Sequence, residues 1–440
     1  MLPAFGGLVW TIVAFVVALS IIVAVHEYGH YIVGRWSGIH ADVFSLGFGP
    51  VVYSRVDKRG TRWQLAALPF GGFVKFAGDA DAASGRDGAK ISKLSDAEKR
   101  RTMHGAPLWA RAATVAAGPI FNFILAIVVF MGLFLAYGVA SKLPVIGSMK
   151  PLPYEGQSLL PGDQILSVAG FDTPDFETFS DAIKDLPITE TVDYRVQRDG
   201  AALVVTGPYP FPPVADGVQP RSAASVAGIQ AGDVILAVDG KPVSAFEEVR
   251  TAVGASDGKP MLFKVWRAGA AFDATMTPQR RDLPKEGGGF ETRWLIGMSG
   301  GLMFVPELRT PGLFESASLA VQSTWKAGTT NLSFLWNIVI GNVSSCNVSG
   351  PIGIAKVSGD AARQGLDSFI LLIALLSVSV GLLNLFPIPV LDGGHLVFHA
   401  FEAVAGKPPS DRVLRVLMGI GLTALLGLMA FALTNDIFCP

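Results

Sequence analysis

His26-Glu27-Tyr28-Gly29-His30 spells HExxH at the end of an uncharged apolar run that begins near Leu8. On an α-helix the two histidines, four residues apart, share one face, so two imidazoles can grip one zinc ion. Glu27 sits beside the first of them and stays free to take a proton from a water at that ion. Three ionisable groups at the end of an apolar helix are costly to place in lipid; such groups face a protein interior or a cavity and mark function. The plainer alternative is a His/Glu cluster at headgroup level that binds nothing.

A catalytic zinc site needs three protein ligands and one open position. The candidate for the third is Asp392, in Leu391-Asp392-Gly393-Gly394-His395, just past Pro387-Ile388-Pro389. Those prolines end a regular helix, and irregular backbone survives at membrane depth only where it lines a protein cavity. The alternative for Asp392 is a cap on the helix that follows. His395 and His399 also lie four apart, but no glutamate directly follows the first, and they read as supporting or packing residues.

The elements that must hold these residues are membrane spans. Half of the 440 residues are hydrophobic and 16% are charged, and the mean hydropathy is +0.45. Such values fit an integral membrane protein with a substantial soluble part. A net charge of −1 implies no domain-scale basic surface and argues against a nucleic-acid partner. Two cysteines, Cys346 and Cys439, cannot build a disulfide framework. The first apolar run lacks a basic leader and a small-residue cleavage site, so it reads as a retained helix.

In chain order, residues 1–35 form the first span, ending in HExxH. Residues 36–108 form a small curved β-hairpin sheet close to the membrane, with Gly47-Phe48-Gly49-Pro50 as a breaker and Asp57-Lys58-Arg59-Gly60 as a turn, followed by a polar loop from Asp79 to Arg101. Residues 109–138 are the second span; Gly118-Pro119 and Asn122 inside it are tolerated where neighbouring helices satisfy the freed polar groups. Residues 281–365 read as a linker and helices at the membrane surface, anchored by Trp325 and Trp336. The stretch Thr329 to Ala355 is uncharged but too interrupted by Asn and Pro to count as a span. Residues 366–400 carry the third span and Asp392, and residues 401–440 the fourth.

Between the second and third spans lies an internal repeat. Leu160-Pro161-Gly162-Asp163-Gln164-Ile165-Leu166 recurs as Gln230-Ala231-Gly232-Asp233-Val234-Ile235-Leu236, and each half ends in a basic-residue-plus-Gly turn, at Arg198-Asp199-Gly200 and Arg267-Ala268-Gly269. The halves, 139–207 and 208–280, resemble two consecutive PDZ domains, mixed α/β modules that take an extended peptide onto a sheet edge. A spacer or steric gate with no peptide bound is the other reading.

Lysines and arginines gather after the first span, from Arg35 to Arg101, and recur at Lys407, Arg412 and Arg415. The positive-inside rule then puts these loops in the cytoplasm, the termini outside and the repeat outside with them. The ends of the first and third spans meet on the cytoplasmic side, which brings Asp392 to the depth of His30. The fold class expected is a polytopic α-helical membrane protein with four transmembrane helices, a membrane-associated β-hairpin sheet and two inserted PDZ-like domains.

HEYGH, GFGP, AGPIFNF at 117–123, SGPIGIAK at 349–356 and NLFPIPVLDGGH at 384–395 together resemble the site-2 protease family of intramembrane zinc metalloproteases, the regulator-of-sigma-E protease type in particular. The resemblance implies Zn2+ on His26, His30 and Asp392, Glu27 as general base, and a substrate contact at Asn384. It implies a sheet edge offered to the substrate by the hairpin, with Gly47, Phe48, Gly71 and Gly72 as contacts. It also implies substrates that are single-span membrane proteins such as anti-sigma factors, a bacterial inner membrane, and a PDZ pair that screens out bulky extracytoplasmic domains. Two other classes stay open at this point: a catalytically inactive membrane-anchored PDZ adaptor, and a metal or proton transporter, which should carry more spans.

Overall fold

A computed structural model describes residues 2–79, 92, 94–154, 158–219, 222–284 and 290–438. The chain forms two compact units, one comprising residues 1–133, 312–339 and 345–440, the other residues 134–311 and 340–344.

In the first unit, helix α1 (Leu2–Trp36) leads into strands β1 (Ala41–Val56) and β2 (Arg62–Phe76). Helix α2 (Leu108–Tyr137) follows. After the second unit come α3 (Leu313–Val339), α4 (Pro351–Gln364), α5 (Leu366–Asn384), α6 (Asp392–Ala405) and α7 (Asp411–Phe438). Among the described residues four helices are long and apolar enough to cross a membrane: α1, α2, α5 and α7. They are the four expected from the sequence, and the protein is a membrane protein. Most of the polar loop from Asp79 to Arg101 lies outside the described residues; Asp96–Lys99 makes one helical turn, closed by a Ser95/Glu98 capping box.

Small residues let these helices approach. A Cβ on Gly29 would stand 2.6 Å from the Ala117 carbonyl, so α1 and α2 pack backbone to backbone there. Ala18 and Ile22 of α1 bury against Ile373 of α5, with Leu125 and Leu376 beside them. The stretch expected to hold surface helices contains α3 and α4; α3 runs unbroken through Asn331 and Asn337 and reaches α5 through Asn331, whose side-chain amide donates to Ser379 Oγ (2.9 Å).

The hairpin is more folded than the sequence implies. Gly47-Phe48-Gly49-Pro50 does not break β1 but bends it, with Gly47 and Gly49 at φ +88° and +83°. Residues 43–46 therefore pair on one side with 72–75 and on the other with 62–65, and 62–65 pair in turn with 53–56. Asp57 builds the expected turn by accepting from the Arg59 and Thr61 amides and from Trp63 Nε1. Tyr31 of α1 packs on Phe44 and Trp63, which ties the sheet to the helix that carries HExxH.

In the second unit the repeat is structural as well as sequential. The sheets have strand orders 171–172, 164–168, 191–198, 201–208 and 241–242, 234–238, 261–267, 270–276, each with a helix, Phe176–Asp185 or Phe246–Gly254. The Gly-Asp of each half meets the arginine of its own turn: Arg198 donates from Nε and Nη2 to Asp163 at 2.7 Å each, and Arg267 does the same to Asp233 at 2.6 Å. Residues 281–309, expected as linker, include strands. Met298–Ser299 pairs with Gly217–Val218, and Phe304–Pro306 pairs with Ile146–Met149. Met303 and Phe304 are buried in the core of the first half, so hydrophobic burial draws this stretch back onto the sheets.

Candidate metal centre

His26 and His30 project from the same face of α1, as their spacing requires, with ring centroids 4.8 Å apart and planes at 85°. Their Nε2 atoms lie 3.2 Å from each other. Asp392 Oδ2 stands 3.2 Å from His26 Nε2 and 3.5 Å from His30 Nε2. Among the described residues this is the one group of three or more His, Cys, Asp or Glu residues whose ligand atoms lie within 4.8 Å of one another.

The donor set fits a divalent cation. Asp392 Oδ2 is buried and faces no polar atom among the described residues but the two imidazole Nε2 atoms; with both nitrogens unprotonated three lone pairs converge, a costly state unless a cation meets them. Asp392 is also not the cap of its helix: the N-cap is Leu391, and Asp392 is the first helical residue. Two imidazoles and a carboxylate are zinc-type ligands.

Each histidine is held from behind. His30 Nδ1 lies 2.8 Å from the Thr114 carbonyl; donating there leaves Nε2 unprotonated and free for a metal. His26 Nδ1 lies 3.1 Å from the side-chain amide of Asn122, which is fully buried. Both partners belong to α2, which presses close because Gly118 has no side chain.

Asp392 is positioned by a tight loop after α5. Gly393 leaves no space for a Cβ, which would meet the Leu385 and Phe386 carbonyls at 2.3 Å, and Gly394 is as tightly placed against Ile388. Further along α6, Glu402 accepts from Arg111 Nη1 and Nη2 of α2 at 3.0 and 2.7 Å. His395 lies edge-on to Phe398, and His399 Nδ1 is buried without a hydrogen-bond partner among the described residues; neither joins the ligand group.

Glu27 points toward β2: a Cβ on Gly72 would stand 3.0 Å from Glu27 Cγ. Gly72 is thereby brought to the site, while Gly71 (φ +140°) packs under the Phe48 ring and Gly47 faces the Leu68 and Ala66 carbonyls. Asn384 donates to the Val380 carbonyl at 3.0 Å in its own helix. Asn122, Gly118 and Thr114 were not predicted as site residues; the in-span amide of Asn122 and the glycine beside Pro119 were visible signals, read only as tolerated irregularities.

Residues 14–428 match Peptidase family M50. The chain belongs to this peptidase family. The M50 chain is 38% identical over 441 residues to a protein of Agrobacterium fabrum named as a zinc metalloprotease, covering 99% of this chain and 98% of that one. It is 37% identical over 436 residues to a similarly named protein of Rhizobium meliloti, covering 98% and 97%. It is 34% identical over 461 residues to the regulator of sigma-E protease of Salmonella typhimurium, covering 98% and 99%. The expected class, a zinc-dependent metalloprotease of the site-2 family, is the class of this M50 peptidase.

Proposed function

We propose that this M50 peptidase holds zinc on His26, His30 and Asp392 and hydrolyses a peptide bond in or near the transmembrane segment of single-span membrane proteins. The observation that carries the reading is the convergence of three ligand atoms from residues 26, 30 and 392 within 4.8 Å. A zinc ion in this set supplies Lewis acidity, which activates a water and polarises the scissile carbonyl. Glu27 takes the proton of the attacking water and delivers it to the leaving amide nitrogen. The site is largely enclosed, the His26 and Asp392 side chains keeping 11% and 17% of their surface exposed.

A transmembrane helix hides its own amides, so the substrate unwinds locally before attack. The strand Gly72–Phe76, backed by α1 beside Glu27, is the edge we assign to it, with strand addition compensating the exposed backbone groups. Gly47, Phe48 and Gly71 shape that sheet, and Asn384 is assigned to the substrate side of the same cleft. The regulator of sigma-E protease among the relatives supports anti-sigma factors as the substrate class.

We place the protein in a bacterial inner membrane, with the site toward the cytoplasm and the two sheet-and-helix halves, read as PDZ-like domains, on the periplasmic side. The lysine and arginine distribution supports this orientation. Size screening is the role we assign to the PDZ-like pair.

Glu27→Gln tests the reading directly. Zinc content of the purified protein should stay near one per chain while cleavage of a single-span reporter is lost; retained cleavage would sink the assignment. Asp392→Asn should strip zinc, and unchanged metal content would remove Asp392 from the ligand set.

A further inference from the structure

The contact that holds His26 from behind is made by the side chain of Asn122, and its chemistry differs from that of the Thr114 carbonyl behind His30. Asn122 is fully buried in the second span, and its amide lies 3.1 Å from His26 Nδ1. Its Nδ2 is the atom that faces the ring, while its Oδ1 is buried with no hydrogen-bond partner among the described residues. The backbone at this position is fixed separately: Ser377 Oγ donates to the Asn122 carbonyl at 2.8 Å, and a Cβ on Gly381 would stand 3.1 Å from Asn122 Cβ.

Two arrangements satisfy this contact. With Nδ2 donating to His26 Nδ1, the ring proton sits on Nε2 and points at Asp392 Oδ2, 3.2 Å away; that tautomer has no lone pair for a metal. With zinc bound, Nε2 must be unprotonated, Nδ1 carries the proton, and an amide NH2 group against it would set two donors face to face. A half-turn of the amide removes the conflict.

We infer that Asn122 is a positioning residue of the metal centre, its Oδ1 accepting the His26 Nδ1 proton in the zinc-loaded enzyme and thereby fixing the metal-binding tautomer. Thr114 does the same for His30 through its backbone carbonyl, which no substitution changes. Asn122 is therefore the point at which the chain can tune its first ligand by side-chain chemistry. The inference rests on the ligand assignment proposed above.

The test is zinc affinity of the full chain in detergent, measured by competition with a chelator of known affinity, for Asn122→Ala, Asn122→Asp, Ser377→Ala and Asp392→Asn. Loss of the ring's hydrogen-bond partner weakens metal binding about 10- to 100-fold, so Asn122→Ala should fall in that range. Asn122→Asp keeps an acceptor and loses the donor, and should bind zinc within about threefold of the wild type or tighter, as carboxylate-histidine-zinc triads do. Ser377→Ala perturbs the same helix contact without touching the amide and should leave affinity unchanged. Wild-type affinity in Asn122→Ala would overturn the inference, as would Asn122→Asp binding as weakly as Asn122→Ala, since a purely structural role or a donor role predicts that equality. An Asp392→Asn variant that keeps full zinc affinity would overturn the ligand assignment and this inference with it; loss of zinc there with wild-type affinity in Asn122→Ala would overturn this inference alone. If Asn122→Ala does not fold, the comparison of Asn122→Asp with the wild type still decides the donor against the acceptor.

Discussion

Gly118 and His30 meet with no room between them: a Cβ on Gly118 would stand 2.3 Å from His30 Nε2, and 2.8 Å from His26 Cε1. The second span thus acts as a wall against which both imidazoles are pressed. The wall has to be flat there, because a side chain would displace the rings of the two proposed zinc ligands.

Gly118→Ala should therefore weaken zinc binding by at least about tenfold, roughly 1.4 kcal/mol, while leaving the helical content of the purified protein unchanged. Alanine favours helix over glycine, so loss of the span is not the expected route to failure. Chelator competition with far-UV circular dichroism in parallel checks both halves; normal zinc affinity would show that the rings can yield.

The link between Arg111 and Glu402 joins the second span to the helix that starts at Asp392. Its side chains are 15% and 17% exposed, and both guanidinium NH2 groups are engaged. Removing one partner strands the other charge, at a cost of about 3 kcal/mol. Glu402→Ala and Arg111→Ala should each lower the thermal midpoint in detergent, and the swap Arg111→Glu with Glu402→Arg should recover part of the loss. No recovery would mean that the geometry of the fork, rather than its charge, matters.

Much of this arrangement was legible from residue spacing. The four-residue interval from His26 to His30 survives any packing because it is a property of one helix, and span parity brought Asp392 to the same depth. Contacts between helices carry no such signature. Nothing in the neighbourhood of Arg111 announces Glu402, which lies 291 residues away, and Asn122 looks like any amide that a bundle tolerates. The hairpin was visible at Asp57-Gly60, yet the second pairing of residues 43–46 was not, because a bend at Gly47 and Gly49 reads as a stop. The strands Met298–Ser299, Phe304–Pro306 and Leu308–Arg309 escaped notice for a related reason: they are two or three residues long and complete sheets whose other strands lie far upstream.

The pairing of Asp163 with Arg198 makes a pH prediction. Burial alone would raise the Asp163 carboxyl, but the Arg198 guanidinium and the Leu160 amide outweigh it and hold the group below the usual carboxylate range. A group lowered in the folded state contributes stability that is fully present above its unfolded value, near 4, and is lost as pH falls through the lower folded value. Hydrogen exchange over residues 160–208 of the intact protein should stay slow from pH 7 to about 4 and quicken below that. Arg198→Ala should quicken exchange throughout and flatten the acid dependence. An unchanged acid limb in that variant would assign it to other carboxylates.

At the other end of the bundle, Asp436 near the end of α7 accepts from three backbone amides at the start of α4: Gly350 at 2.9 Å, and Ile352 and Gly353 at 3.0 Å. Helix α4 has no side-chain cap of its own, its N-cap being Gly350, so a residue from a distant helix does the capping, and does it with a charge that the helix dipole favours. The consequence reaches α1: Arg363 in the last turn of α4 donates to the Gly7 carbonyl at 2.9 Å, and Gly359 allows close contact with Thr11. Asp436→Asn keeps the shape but loses the charge and one acceptor, which should cost about 1 to 2 kcal/mol. Amide exchange in residues 350–364 should quicken roughly tenfold while exchange around HExxH stays slow, because α1 is also held by α2 and the hairpin. If both regions quicken together, α4 and α1 open as one cooperative unit, and the clamp at Asp436 governs the stability of the helix that carries HExxH.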